Sequence, residues 1–227
     1  MQRLLTEHPE MPIKPATCAM ETLLPLLDTL VDILYTESLK REASFVMSLE
    51  HKLEIWVPPV FDDTHTAIYD TPAPSIFATE QFQEWLATLT YTDSTIPMAM
   101  AYRESALICL YGGVFQPPRL LQIPRRATIA LNCCLAAVNH SGFLHGLLWP
   151  LFIASCQAII PETRALSTTI FKKLEICRGM PNISRAFSAV QEVWKRYDLA
   201  EYSDFTSLFA EHWEVMCKTM DGDLICI

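Results

Sequence analysis

Apolar residues recur at helical spacing along most of this chain, and in one place the charged positions between them stop. From 127 to 161 the sequence reads ATIALNCCLAAVNHSGFLHGLLWPLFIASCQAIIP, with no Asp, Glu, Lys or Arg. Arg125 and Arg126 end the charge before it and Glu162 restarts it. Burying apolar surface is favourable by about 25 cal/mol per Å², so a run of this kind is hidden from water, either in a protein core or in a membrane. A membrane helix needs about 20 apolar residues, and 141–160 is long enough. Asn132, Asn139, His140, His145 and Gln157 are costly in lipid, and Pro150 interrupts the run. The pattern therefore favours a buried pair of helices over 127–139 and 142–160, joined at Asn139-His140-Ser141-Gly142, whose residues have turn chemistry.

The flanking segments are amphipathic. Residues 20–38 place Leu23, Leu27, Leu30, Val31 and Leu34 three or four apart, the signature of one helical face. Pro25 suits a helix that begins just before it. A helix over 42–56 would bury Phe45, Leu49, Leu53 and Trp56, and Val57-Pro58-Pro59 stops it. Residues 57–78 carry four prolines and read as a long loop. Helices are expected again over 79–89, with Phe82, Trp85, Leu86 and Leu89 inward, and over 97–114, with Tyr102, Ala106, Leu110 and Val114 inward. Residues 162–178 align Leu166, Ile170, Leu174 and Cys177. Asn182 is expected to cap a helix bearing Ile183, Ala186, Phe187, Val190, Trp194 and Tyr197. A last helix covers 204–220, with Phe205, Leu208, Phe209, Trp213 and Met216 inward, and the apolar tail 224–227 tucks back. No segment reads as part of a sheet. The expected fold is all-α, an irregular bundle of about eight or nine helices around a buried central helical hairpin. It comprises a flexible lead-in over 1–19 and one helical domain over 20–227. Trp149, Phe152, Phe187 and Trp194 are expected in its core.

Composition narrows the function classes. Of 227 residues, 51% are hydrophobic and 19% charged, which argues against global disorder. A formal net charge of −9 opposes approach to phosphate, the main source of non-specific nucleic-acid affinity. The basic pairs Arg125-Arg126 and Lys172-Lys173 are isolated and read as solvated helix ends. The eight cysteines include no Cys-x-x-Cys pair, so they read as reduced thiols on apolar faces rather than as zinc ligands or disulfides. Glu7, His8, Glu10 and three prolines leave residues 1–20 without the apolar core of a secretory signal. Cys226, one residue from the end, does not form a prenylation box.

Candidate chemistry is sparse. There is no nucleophile elbow, phosphate loop or dinucleotide fingerprint. His140 and His145 lie five apart, off a common helical face, and read as core histidines. Cys133 and Cys134 point two ways round a helix. Asp62-Asp63 sits beside prolines without the further carboxylates a metal site needs. Two Leu-x-x-Leu-Leu segments, beginning at Leu23 and at Leu144, have the form of a docking helix. The second lies in the charge-free run and reads as core. No catalytic, cofactor-binding or metal-binding residue is expected, and no cofactor.

Trp149-Pro150-Leu151-Phe152-Ile153-Ala154-Ser155-Cys156 follows the pattern Trp-Pro-hydrophobic-Phe-hydrophobic-Ala-small-Cys. It resembles the signature helix of the fungal-specific transcription factor domain, the regulatory region that follows a zinc binuclear cluster in many fungal regulators. Asn182-Ile183, Ala186 and Glu192-Val193-Trp194 are similar to the next marker of that family, and the likeness extends over about 20–227. The family's DNA-reading module has six cysteines in about thirty residues, whereas this chain has only Cys18 in its first hundred. The resemblance thus implies the regulatory half without the DNA-reading half, whether by loss of that module, by fragmentation or in a stand-alone relative. It implies a non-enzymatic domain acting on transcription in the nucleus through protein contacts or an effector. Its partners would be proteins or a DNA-binding module supplied elsewhere, with no specific DNA binding of its own, no membrane, and a homodimer open to it. The alternative is a helical small-molecule binder or enzyme of secondary metabolism with an apolar pocket, for which the cytoplasm is the alternative location.

Overall fold

The computed structural model describes residues 15–36, 42–58, 95–115, 119–140, 146–178 and 181–199. Among them are seven α-helices and no strand: α1 (Pro15–Tyr35), α2 (Ala43–Ile55), α3 (Thr95–Cys109), α4 (Ile123–His140), α5 (Leu148–Cys156), α6 (Pro161–Arg178) and α7 (Pro181–Leu199). The all-α expectation holds. The expected helices over 79–89 and 204–220, most of the loop over 57–78, the lead-in before residue 15 and the tail over 224–227 lie outside the described residues.

The charge-free run forms a buried helix pair, α4 packed on α5, and α3 lies against both as well as against α1. From Ala99 to Tyr111 every side chain is buried except that of Tyr102, which is half-buried. A helix that is apolar on one face only cannot be enclosed on all sides without stranding its polar residues, so Arg103, Glu104 and Ser105 must find partners inside the protein. The last turn widens into a π-turn at Leu110–Val114, closed by the Phe115 amide donating to the Leu110 carbonyl at 3.1 Å. Gly112 and Gly113 lie within it.

Several boundaries differ from the expected ones. α1 begins at Pro15, so Pro25 is inside the helix rather than at its start. The Thr29 hydroxyl donates to the Pro25 carbonyl at 2.7 Å in the next turn. In α2, Val46 rather than Phe45 joins Leu49 and Leu53 in the core, and Phe45 is exposed. Instead of a helix over 142–160, α5 begins at Leu148, and Pro150 occupies its first turn, where a missing amide hydrogen costs no helix bond. α7 begins at Pro181, a residue suited to the first helical position. Asn182 is therefore within the first turn and does not cap it. Ile183, Ala186, Val190 and Tyr197 form the expected inner stripe, joined by Val193. Phe152 is buried, whereas Trp149, Phe187 and Trp194 are only half-buried against the core.

Candidate functional site

The densest polar cluster in the described residues is built around α3. Arg103 is 1% exposed and Glu104 fully buried. The Arg103 guanidinium closes the C-terminal end of α2: its Nε donates to the Leu53 carbonyl at 2.7 Å and its Nη2 to the Glu54 carbonyl at 2.8 Å. Its Nη1 faces Glu104 Oε1 at 3.2 Å. From α4, Arg126 donates through Nη1 to Glu104 Oε2 at 3.0 Å and through Nη2 to Glu54 Oε1. The Tyr111 hydroxyl donates to the same Glu54 oxygen at 2.8 Å. Two arginines and two glutamates balance in charge and tie α2, α3 and α4 together. At the rim, Arg119 pairs with Glu50 and lies over the Phe115 ring, 3.8 Å from its centroid.

The electrostatics follow from this packing. Burial raises the Glu54 pKa, but the Tyr111 hydrogen bond and the Arg126 and Arg103 charges outweigh it and hold the carboxyl below its ordinary value. Burial and Glu54 push the Tyr111 phenol up. For Arg126 burial acts downward, and the Glu104 and Glu54 carboxylates override it, keeping the guanidinium charged. These ions neutralise one another. Arg126, expected at a solvated helix end, is a structural ion, and only its neighbour Arg125 is exposed. Lys172 is exposed, and Lys173 donates to Asn139 Oδ1 at 2.6 Å.

A second polar contact seats the Trp-Pro motif. Gly146 has φ +90°, a conformation that side-chain-bearing residues rarely adopt. Its carbonyl is the one that the Pro150 amide, four residues on, cannot reach as a donor, and the Tyr102 hydroxyl of α3 donates to it instead. The Tyr102 ring stacks on Trp149 at 5.2 Å between centroids and 22° between planes. The Ser105 hydroxyl donates to the Pro150 carbonyl at 3.1 Å. Burial raises the Tyr102 pKa to about 12, with a further push from Cys134, so the phenol remains a donor. A Cβ at Gly146 would meet the Tyr102 oxygen at 3.2 Å. Gly146→Ala is expected to cost about 1–2 kcal/mol through backbone strain alone, and the Tyr102 contact adds to it. Urea denaturation checks this. Tyr102→Phe, which removes the donor and keeps the ring, should cost about 1 kcal/mol.

The remaining candidate residues are not drawn into a site. Asp62, Asp63, His145 and the His140 side chain lie outside the described residues. Cys133 and Cys134 are both fully buried, with burial raising both thiols, and the same holds for Cys156 of the motif. No group of three or more His, Cys, Asp and Glu gathers at metal-binding distance among the described residues. In the first Leu-x-x-Leu-Leu segment Leu23 is fully buried, and Leu26 and Leu27 pack partly on the core, so the three anchors do not form one free face. Leu147 and Leu148 of the second are buried. No described helix is long and apolar enough to cross a membrane.

Sequence reasoning missed the charge cluster, since Arg103, Glu104 and Arg126 carry no motif. The one available signal was three consecutive polar residues, Arg103-Glu104-Ser105, inside an otherwise apolar helix.

Comparison with known families gives a match to the fungal specific transcription factor domain over residues 35–227, most of the chain. No curated protein and no solved structure matches it. The chain belongs to the fungal-specific transcription factor domain family.

Proposed function

From membership of this family, we propose that the chain is a non-enzymatic regulatory domain that acts on transcription in the nucleus. It works through protein contacts or an effector and relies on a DNA-binding module supplied elsewhere. The family match over residues 35–227 carries this reading. Two properties support it. The chain's net charge of −9 makes it a poor partner for DNA by itself. The buried ions Arg103, Glu104 and Arg126 and the half-buried Glu54 bond to each other and to backbone, which suits a scaffold better than a catalytic centre.

The test fuses the chain to a heterologous DNA-binding domain in a fungal reporter strain and measures reporter output across growth conditions. The expected result is activation or repression relative to the DNA-binding domain alone. Gel shifts with the unfused chain should show no sequence-dependent binding at concentrations below about 1 μM, where specific regulators are ordinarily saturated. An unchanged reporter in every condition, or a specific shift by the chain alone, would overturn the reading.

A further inference from the structure

Helix α1 carries two apolar stripes side by side, each in heptad spacing. Ala19, Leu23, Leu26, Leu30 and Ile33 form one, and it is the stripe that enters the core. Met20, Leu24, Leu27, Val31 and Leu34 form the other, one residue further round the helix. Of these, Met20, Leu27 and Leu34 lean partly on the core, while Leu24 and Val31 stand 46% and 50% exposed. Heptad spacing of four and three is what a second helix needs to lay its own side chains between these positions.

The rim of this second stripe has one sign of charge. Glu21 and Asp28 follow its core-leaning positions directly, and Asp32 lies one turn beyond Asp28, all three exposed. On the other side the neighbours are Leu23 and Leu30, which are buried. The occupant must therefore bring apolar residues for the stripe and positive charge for its single solvated edge. A second copy of α1 would set acidic rim against acidic rim. The chain's own amphipathic stretches match no better: 79–89 carries Glu80 and Glu84, and 204–220 carries Asp204, Glu211 and Glu214 against one Lys218. We infer that the outward stripe of α1 docks an amphipathic helix of a partner protein, one whose apolar face is flanked by Lys or Arg. This rests on the reading of the chain as a domain that acts through protein contacts, and it specifies the chemistry of one such contact.

The test uses the full chain and a fluorescent three-heptad model helix with Leu at its core positions and Lys at the flanking ones. A twin peptide carries Glu in place of Lys. Fluorescence anisotropy is expected to show the Lys peptide binding at least about tenfold more tightly than the Glu peptide. Leu24→Ser with Val31→Ser should weaken the Lys peptide by about tenfold or more while leaving the melting curve unchanged. Glu21→Gln, Asp28→Asn and Asp32→Asn together should erase the preference for Lys over Glu. Equal binding of the two peptides overturns the proposal, as does binding that the serine variant leaves intact, which would be diffuse attraction to an acidic protein. Concentration-dependent dimerisation lost in the serine variant would assign the stripe to a second copy instead. A reporter that responds while the peptide fails to bind removes the docking site alone, whereas an inert reporter removes the function beneath it.

Discussion

Replacing Arg126 with alanine is expected to destabilise the domain by about 3–5 kcal/mol, the usual cost of leaving a buried charge without its partner. Glu104, fully buried, would lose the donor at 3.0 Å and keep only Arg103, and Glu54 would lose one of its two arginines. A domain of this size has about 5–15 kcal/mol of stability in all, so the variant should melt far earlier or fail to accumulate. The pair is not thereby shown to be more stabilising than an apolar core. Arg126→Met combined with Glu104→Leu removes one charge of each sign, leaves Arg103 beside Glu54, and should recover most of the loss. Chemical denaturation of the two single variants and the double variant checks this. A single-variant cost below about 1 kcal/mol would mean that water reaches these ions, because exposed pairs contribute only that much.

Phe171→Ala should cost a similar amount, about 3–5 kcal/mol, with a different signature. Phe171 is fully buried on α6 and stacks on Phe187 of α7 with centroids 4.8 Å apart. Phe187 in turn meets the Trp194 ring edge-on at 6.2 Å. Trp194 donates through Nε1 to the Ser155 carbonyl at 2.8 Å, and the Ser167 hydroxyl donates to the Ser155 hydroxyl at 2.6 Å. The three rings therefore fasten α6 and α7 to the end of the Trp-Pro helix. With about 2–4 °C of melting temperature per kcal/mol in a domain of this size, the midpoint should fall by about 6–20 °C. The near-ultraviolet circular dichroism of the tryptophans should weaken along with it. A smaller loss with an unchanged aromatic spectrum would show that the neighbouring rings close over the cavity.

Helices whose polar residues face water were legible from spacing alone. α7 is the clearest case: Ile183, Ala186, Val190 and Tyr197 were placed inward from the sequence, and all four are buried. The charge-free run likewise announced α4 and α5. Caps and ends were less legible because proline has two readings near a helix start. Pro150, which interrupts the charge-free run, proved to lie in the first turn of a helix, and Pro181 took the first helical position ahead of Asn182. The central helix was the least legible. Residues 97–114 gave one inward face, through Tyr102, Ala106, Leu110 and Val114, and left Arg103, Glu104 and Ser105 off it. Their partners lie far off in sequence: Arg126 is 22 residues beyond Glu104, Glu54 is 49 before Arg103, and the Pro150 carbonyl is 45 beyond Ser105. No local pattern encodes such partners, and the same non-local dependence hid the charge cluster. The family resemblance, by contrast, was legible in Trp149-Pro150 and the motif around it, with the second marker at Asn182-Ile183 and Glu192-Val193-Trp194, where short runs of residues are specific in themselves.

The enclosure of α3 has a consequence for how the protein is made. Ribosomes add about 5–20 residues per second, so α3 leaves the ribosome seconds before α4 and α5, the helices that cover it, have been synthesised. During that interval, among the described helices, α1 and α2 alone are in place to shelter its apolar turns and its Arg103-Glu104 pair. Nascent chains at this stage are natural clients for chaperones that hold exposed apolar surface. A premature stop codon anywhere between α3 and the end of α5 would fix the chain in that state, so such alleles should yield aggregated or degraded product rather than a shortened regulator.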